Sequence, residues 1–508
     1  MDTTMDLPIS IQDVDPQVLI PALKSHLPYS LPLLRRLQHS LVHPSPTAKY
    51  LATATVWDAV GDLKPVSDSN SVSASLLSRG SPLGDVGATN SNTGVPTPWL
   101  AAWVDLHAGP ETQMVVYSSL EREAQAPSDN KEEEETIEKT VSTLDATSNN
   151  VRLNGTTSSE ISPDPLDWVR AQLLALLSHV QNRLMPEYLQ SLNLDDNLAP
   201  KSARDAITNP MGITSCNASA TDSRPNPAGQ PFGPPAFKIG HLHTGLFSVL
   251  TASGKYPPPL GQCHHGAGPS PDASHPRGPQ MVVPGLRVHR FDQPPYNKYL
   301  FRDEEFVIAD GDHDGDHESD STDQNGDVTQ HGGSRAPGSA PAVTHESICS
   351  QLLPPGYRFS DRKGNSTLMA RHYELVCRRS AVFRTPKSLA SFPCVAVYVD
   401  ADTRRANGDN DEGKEEEDPI AWAFLSADGS LAVLHVEPDH RGKGLAKCAS
   451  REVMRRGMRE GGMFRAKGEK GWVHADVAQG NRASCRVMEK LGGVVGWTVT
   501  WTVVEFDE

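Results

Sequence analysis

The clearest chemical signal in the sequence is the stretch LAVLHVEPDHRGKGLA, residues 431–446. Its first half alternates apolar residues with others, which is typical of a strand with one buried face. Pro438 ends that strand, glycines follow at Gly442 and Gly444, and a proline-free helical pattern begins near Leu445. Backbone N–H groups at a helix N-terminus lack internal partners and carry the positive end of the dipole. The stretch therefore predicts an anion-binding loop.

This loop must be positioned by the elements on either side of it. From residue 346 onwards, periodicity predicts strands near 356–360, 394–400, 420–426, 431–436, 472–477 and 494–506. It also predicts helices near 366–380, 387–392 and 445–460, and a short helix that follows Asn481 and ends in Leu-Gly. In the first part of the chain it predicts two helices in 16–41, a strand at 48–56, a hairpin at 99–121, a helix at 166–184 stopped by Pro186, a helix at 237–253 and a strand at 286–301.

The loop and its neighbours resemble a known family. The pattern RxxGxA at residues 441–446 is similar to the pyrophosphate loop [QR]xxGx[GA] of the GNAT superfamily of acyl-CoA N-acyltransferases. Residues 472–493 resemble that family's next strand, its asparagine, here Asn481, and the short helix after it. The stretch PIAWAFLSADGS, residues 419–430, is similar to the glycine N-acyltransferase-like branch. The resemblance covers about 345–508, the last third of the chain.

The resemblance implies an α+β protein with the GNAT fold. That fold has a mixed, mostly antiparallel sheet with a splayed pair of parallel strands and helices on both faces. The co-substrate would be acetyl-CoA or another acyl-CoA, whose pantetheine arm lies in the gap between the splayed strands, and the acceptor would be a small-molecule or peptide amine. The implied cofactor-binding residues are Leu434, His435, Val436, Arg441, Gly442, Lys443, Gly444, Leu445, Ala446 and Asn481. Four arginines on the helix after the loop either neutralise the ribose phosphate or form a solvated face: Arg451, Arg455, Arg456 and Arg459.

The chemical step needs a group that takes a proton from the amine. An amine of pKa ~10.4 is almost fully protonated at neutral pH. In the glycine-acyltransferase branch the base is a glutamate, and the resemblance places Ser430 at its position. Asp428 could relay the proton through water, so Asp428 and Ser430 are the predicted catalytic residues. His435 titrates in the right range, but strand parity favours a packing or surface role, and Glu437 lies close to the loop.

Two departures from the family pattern keep a second interpretation open. The family's base position holds Ser430, and the position of its tyrosine acid, seven residues after the asparagine, holds Met488. The favoured function is N-acyl transfer, most simply of an acetyl group. The alternative is a non-catalytic acyl-CoA-binding module that recruits partners through acidic insertions.

Composition divides the 508 residues into two unequal parts. Residues 1–307 are interpreted as an N-terminal half whose α+β core is the smaller one because long insertions interrupt it, and as a candidate degenerate GNAT-like domain. Residues 346–508 are interpreted as the catalytic GNAT domain. Polar, Gly-rich or acidic composition predicts disordered insertions at about 65–95, 122–162, 254–285 and 403–418, and a linker at 308–345.

Charge and cysteine usage limit the partners and the compartment. The net charge of −16 lies almost entirely before residue 346, and neither part has the basic footprint of a nucleic-acid binder. No apolar run approaches the ~20 residues of a membrane span, so neither a nucleic-acid nor a membrane partner is expected. The N-terminus resembles no signal or transit peptide, and the seven cysteines are scattered. The cytoplasm is expected, with the nucleus as the alternative, and the oligomeric state is open.

No metal site is predicted. The run Asp310-x-Asp312-x-Asp314 resembles the start of a calcium loop but has Ser321 at its twelfth position, where glutamate is needed. Residues 263–265, with two histidines nearby in the sequence, lack zinc-finger spacing and are interpreted as part of a flexible loop. Those two histidines are His241 and His243.

Overall fold

The computed structural model describes residues 9–57, 97–109, 111–123, 164–198, 235–254, 256, 280–303, 353–400 and 417–506. The predicted insertions and the predicted linker lie outside the described residues, apart from some of their ends at 122–123, 254, 256, 280–285 and 417–418. Within the described residues, the chain has the α+β architecture predicted from the sequence. None of the helices there is long and apolar enough to cross a lipid bilayer.

The first half of the chain contributes eight of the described strands. They are β1 (Ile11–Asp13), β2 (Lys49–Thr53), β3 (Leu100–Val104), β4 (Met114–Ser118), β5 (Phe237–His243), β6 (Gln280–Val283), β7 (Leu286–Phe291) and β8 (Tyr296–Arg302). Its helices are α1 (Pro16–Ser25), α2 (Leu31–Val42), α3 (Leu120–Glu123), α4 (Pro165–His179), α5 (Met185–Leu198) and α6 (Thr244–Leu250). The carboxylate of Asp164 accepts a hydrogen bond from the N–H of Leu166 at 2.9 Å, which caps α4.

The second half follows the element order expected from the family resemblance. Its strands are β9 (Tyr357–Arg358), β10 (Cys394–Val399), β11 (Ala421–Leu425), β12 (Leu431–Val436), β13 (Trp472–Ala478) and β14 (Val494–Phe506). Its helices are α7 (Tyr373–Arg379), α8 (Pro386–Ala390), α9 (Leu445–Gly457) and α10 (Arg482–Lys490).

The long strand β14 joins the two halves. Its first part pairs with β8, and its second part lies between β5 and β7, always antiparallel. Conversely, β8, a strand of the first half, pairs along its full length with β13 of the second half. Because each half donates a strand to the other, the two halves share backbone hydrogen bonds and one ten-stranded sheet.

The two faces of the second half are covered by different helices. On one face, α9 packs through Leu445, Ala449 and Val453 onto the same apolar cluster as Leu434 and Val436 of β12. The opposite face carries α7 and α8, whose residues pack in a separate cluster. The residues of that cluster are Leu368, Val376, Leu389, Phe392, Cys394, Ala396, Tyr398, Trp422, Phe424 and Ala427, with Tyr373, Leu375, Cys377 and Val433 packed against them.

Four elements differ from the sequence-based expectation. The helix predicted at 366–380 begins only at Tyr373 as α7, after a 3₁₀ turn. The predicted helix 237–253 is wrong in its first part, because residues 237–243 form β5 between β4 and β14. The strand predicted at 286–301 is two strands, β7 and β8. The helix predicted to stop at Pro186 continues to residue 198, because a π-helical turn, Val180–Leu184, shifts the hydrogen-bond register just before the proline.

Two ends of the predicted insertions are ordered. The last part of 254–285 contains β6, which pairs with β7. At the end of 403–418, Glu417 is buried and accepts two hydrogen bonds from Arg358, at 2.8 and 2.6 Å. An acidic run therefore ends in a residue that holds β9 against the domain.

Candidate functional site

The site is organised by a gap between two parallel strands. Strand β12 is the edge of a four-stranded sheet, and β13 is an edge of the ten-stranded sheet. They meet at one parallel bridge, Ser430 to His474, and form no ladder beyond it within the described residues. The facing edges therefore expose backbone groups that an extended ligand chain can pair with.

Strand β12 is also irregular at its centre. Opposite β11, His435 pairs with Trp422 and Ala432 with Phe424, so two residues of β12 face one residue of β11. Within this bulge Val433 has φ +51°, which is unusual for a β-branched residue. The bulge changes the direction in which the backbone N–H and C=O groups of β12 point next to the gap.

The loop after β12 presents a row of free backbone amides. Gly442 and Gly444 have φ of +78° and +82°, and a Cβ on either would meet no atom within 4 Å. The N–H groups of residues 442–447 find no acceptor in the described part of the chain, whereas that of Cys448 bonds to the Gly444 carbonyl. Buried Leu445 anchors the start of α9. Open glycines, free amides and the N-terminus of a 13-residue helix form a cradle that suits a phosphate or pyrophosphate.

The charged side chains of the loop are held at its rim. Arg441 donates through Nε to the carbonyl of Val436 at 2.9 Å, which fixes the turn after β12. Lys443 donates to the Tyr357 hydroxyl at 2.9 Å, and that hydroxyl lies 3.1 Å from Nδ1 of His440. The lysine is therefore kept beside the cradle.

The arginines of α9 divide into different roles. Arg455 and Arg456 both pair with Glu452, which is fully buried, and Arg456 also donates to the Ser366 carbonyl at 3.0 Å. These two arginines stabilise the middle of α9 and are not available as phosphate ligands. Arg451, one turn closer to the cradle, has a buried Nε without a hydrogen-bond partner among the described residues, and Arg459 is exposed.

Asn481 follows β13 on the other side of the gap. It is exposed and caps α10, its Oδ1 accepting from the N–H of Ser484 at 3.1 Å. Its side-chain N–H₂ group is not used in that cap. Met488, at the position of the family's tyrosine, is 3% exposed and packs in the apolar core.

The predicted catalytic residues Asp428 and Ser430 lie in the tight turn before β12. Oδ1 of Asp428 accepts from the N–H of Ser430 at 3.0 Å, from its hydroxyl at 2.7 Å, and from the Ser426 hydroxyl. Burial alone would raise the pKa of Asp428, but His241 and these hydrogen bonds outweigh it and hold that pKa well below its usual range. A carboxylate of such low pKa is a weak proton acceptor, so this geometry favours a positioning role.

A cluster of buried charges adjoins that turn. His241 from β5 directs Nε2 at the Asp428 carboxylate and Nδ1 at Oδ2 of Asp476 on β13, the latter at 2.6 Å. Lys298 from β8, fully buried, lies with Nζ 2.7 Å from Oδ1 of Asp476 and 3.1 Å from Nδ1 of His474. The first half of the chain thus supplies two of the groups that contact the closed end of the gap.

His435 and Glu437 lie on the other face, the one covered by α7 and α8. The imidazole stacks on Trp422 with ring centroids 4.6 Å apart. Its Nε2 has no hydrogen-bond partner among the described residues, and the nearest carboxylate oxygen, Oε1 of Glu437, is 3.6 Å away. Burial lowers the pKa of His435, and this effect exceeds that of the Glu437 charge, which raises the pKa. The ring is therefore neutral at pH 7. Arg379 of α7 pairs with the same Glu437 oxygen at 2.9 Å.

Comparison with known proteins decides the family. The model of the N-terminal domain of the acyl-CoA N-acyltransferase verG matches residues 6–299, more than half of the chain. The chain belongs to this acyl-CoA N-acyltransferase family. A second model, the FR47-like protein, matches residues 412–502, which include the cradle and both edges of the gap. The predicted GNAT resemblance and α+β fold are confirmed, and family membership indicates acyl transfer with acyl-CoA as co-substrate.

Three solved structures are similar to this acyltransferase at a low level. A Drosophila protein is 9% identical, with 98% of both chains covered and a TM-score of 0.39. A GNAT-family protein from Novosphingobium aromaticivorans is 14% identical over 44% of this chain and 69% of its own, with a TM-score of 0.23. A GCN5-related N-acetyltransferase from Kribbella flavida is 11% identical over 44% and 61%, with a TM-score of 0.22. No curated protein sequence matches this chain.

Sequence reasoning missed the buried charge cluster of this acyltransferase. His241 and His243, which the sequence placed in a predicted helix at 237–253, belong to β5, and His241 lies at the closed end of the gap. One signal was present: His474 and Asp476 occupy alternate positions of a strand whose neighbours are apolar. Polar residues on a buried strand face need partners, but the side chains of Lys298 and His241 that supply them are more than 170 residues away in sequence. Among the described residues, no group of His, Cys, Asp and Glu side chains could hold a metal ion.

Proposed function

We propose that this acyltransferase moves an acyl group, acetyl in the simplest case, from acyl-CoA to a small-molecule or peptide amine. The observation that supports this best is the cradle of free amides at 442–447, directly after the open edge of β12. The residues present fit the donor. The cradle would take the pyrophosphate, and the edges of β12 and β13 would pair with the pantetheine arm near Leu434, His435 and Val436. Asn481 would bind the arm from the other side of the gap.

The acceptor would approach from the face of α7 and α8, because Leu434, Val436 and α9 fill the other face. On that side, the loop after Arg379 exposes Val382 and Phe383, which are 57% and 56% accessible. An acceptor with an apolar group next to its amine fits this surface.

The reaction forms a C–N bond between the neutral amine and the thioester carbonyl carbon, and breaks the C–S bond. The sulfur of CoA leaves as a thiolate, which stays ionised or takes a proton from water. Because a thiol has an ordinary pKa of about 8.5, Met488 in place of tyrosine is compatible with turnover. The amine proton must pass to a base. We propose the His435–Glu437 pair for this role, because His435 is neutral at pH 7 and its Nε2 is unpartnered among the described residues.

Asp428 and Ser430 stay in the proposal as residues of the site. Their hydrogen bonds to each other shape the turn from which β12 starts. The low pKa of Asp428 gives it little capacity to accept a proton, so we assign it to positioning and rank it below His435 as a base.

We also propose that the first half is a degenerate copy of the second. Within the described residues, both halves run strand, two helices, three antiparallel strands, a helical segment, strand, helix and a final strand region. The helical segment consists of α3, α4 and α5 in the first half and of α9 in the second. Both also contain a parallel pair, β4 with β5 and β12 with β13.

The four described cysteines are free, which agrees with the reducing conditions of the cytoplasm or nucleus.

The test is release of free CoA thiol from acetyl-CoA with a panel of amines, with product identity read by mass spectrometry. We expect amine-dependent turnover that falls about 10²-fold or more in kcat/KM for His435→Gln and for Glu437→Gln. His289→Gln, which removes a half-exposed histidine of β7, is the matched control and should match wild type. Acyl-CoA binding without amine-dependent thiol release, across the whole panel, would establish the non-catalytic alternative.

A further inference from the structure

The closed end of the gap is held by the first half of the chain. Gly429, in the turn before β12, has φ +72°, and a Cβ there would lie 2.7 Å from Cγ of Arg35 on α2. Arg35 is buried, and its guanidinium donates to the carbonyl of Trp472 at 3.2 Å and to that of Phe464. One residue of α2 therefore contacts both the start of β12 and the start of β13.

His241 makes a second bridge at the same place. Its two ring nitrogens face two carboxylates, Asp428 in the turn before β12 and Asp476 on β13. A carboxylate oxygen only accepts hydrogen bonds, so both nitrogens must carry protons and the ring is an imidazolium. Around it, the His474 ring is edge-on at 5.9 Å and the Trp501 indole lies at 4.7 Å.

The buried charges of the cluster sum to zero only when the ring of His241 is an imidazolium. Lys298 pairs with Asp476 and donates to Nδ1 of His474, whose Nε2 then donates to the backbone carbonyl of Asp428 at 3.0 Å. Burial and Lys298 lower the pKa of His474 to about 4, so His474 is neutral. Two carboxylates thus face one ammonium and one imidazolium. A guanidinium of α2, Arg36, also acts electrostatically on Asp428 from further away.

The position of this bridge matters for the gap. Beyond the single bridge from Ser430 to His474, the two strands part. Asp428 and Asp476 lie two residues from these bridged residues. An extended ligand chain between two strands needs about 4.8 Å to each side, so a small change of angle at the closed end alters the fit along the whole arm.

We propose that His241 is a positioning residue for the acyl-CoA donor: as an imidazolium between Asp428 and Asp476, it sets how far β12 and β13 open. This rests on the proposed function, because the ligand of the gap is taken to be acyl-CoA. Without the imidazolium, two buried carboxylates are left with one ammonium in contact, and they repel each other across the strand pair.

The experiment is a double-mutant cycle read by isothermal titration with CoA and by KM and kcat for acetyl-CoA. His241→Gln and Asp428→Asn alone should each weaken CoA binding roughly tenfold or more, with KM changing more than kcat. The double variant leaves the Lys298–Asp476 pair balanced and should recover most of the loss. His243→Gln, on the same strand but without a hydrogen bond or ion pair to the cluster among the described residues, is the control and should keep the wild-type affinity.

The pH dependence provides a readout that needs no variant. Burial opposes protonation of His241, but the two carboxylates outweigh burial and raise its pKa above the usual value. Affinity for CoA should therefore be full below about pH 6.5 and decline as pH rises through the raised pKa. The profile of His241→Gln should lack this decline.

Additive losses in the cycle, or unchanged affinity in folded His241→Gln, would overturn the positioning role. These results differ from failure of the proposed function, in which wild type itself shows no amine-dependent turnover. If wild type binds no CoA at all, both proposals fall together. If His241→Gln does not fold, the charge-balanced double variant and the wild-type pH profile still decide the question.

Discussion

The cradle at 442–447 leads to a quantitative prediction for Gly444→Glu. The new side chain would have open space, since nothing lies within 4 Å of its Cβ, but it would add a carboxylate among the free amides. A like charge about 5 Å from a phosphate costs about 1–3 kcal/mol at effective dielectric constants between those of water and a protein surface. Strain at φ +82° in a non-glycine residue adds about 1–2 kcal/mol to folding rather than to binding.

Gly461→Glu separates these two effects. Gly461 has φ +73° and is equally open, but it lies beyond the other end of α9. Both variants carry the same strain and the same added charge, so their melting temperatures should fall together. By calorimetry at ~0.1 M salt, only Gly444→Glu should weaken CoA binding, by about 5- to 150-fold. Equal CoA affinity in the two folded variants would refute the assignment of the pyrophosphate to this loop.

Two further predictions concern stability. A Cβ at Gly457 would lie 2.2 Å from Cδ1 of Leu425, so Gly457→Ala should push α9 away from β11. We expect the free energy of unfolding in urea to fall by about 1–3 kcal/mol. An unchanged unfolding midpoint would show that Leu425 moves aside freely. Removing residues 403–414 should leave the melting temperature within a few degrees, because loop closure changes by only ~0.6 kcal/mol per doubling of length. Glu417→Ala should instead lower stability by about 1–3 kcal/mol, because it removes the carboxylate that accepts two hydrogen bonds from Nη2 of Arg358. If the deletion is the more damaging change, the run before Glu417 is packed against the domain.

The sequence alone determined the parts of the site that are local in the chain. A strand, a glycine-bearing turn and a helix N-terminus follow one another within sixteen residues, so residues 431–446 predict the cradle and its chemistry without any tertiary information. The same holds for α9 and α10, whose periodicity and glycine or asparagine caps are local signals. The family resemblance then supplied the order of elements in the last third.

Tertiary structure decided what depends on contacts between distant segments. Nothing near residue 241 in the sequence shows that β5 would be a central strand, because the buried environment that overrides a helical pattern is made by β4 and β14. The exchange of β8 and β14 between the halves has the same origin. The roles proposed for Asp428 and His435 differ from the sequence-based expectation for the same reason. A side chain's pKa and freedom to accept a proton are set by the groups that surround it, and for Asp428 those groups include a histidine almost two hundred residues earlier in the chain.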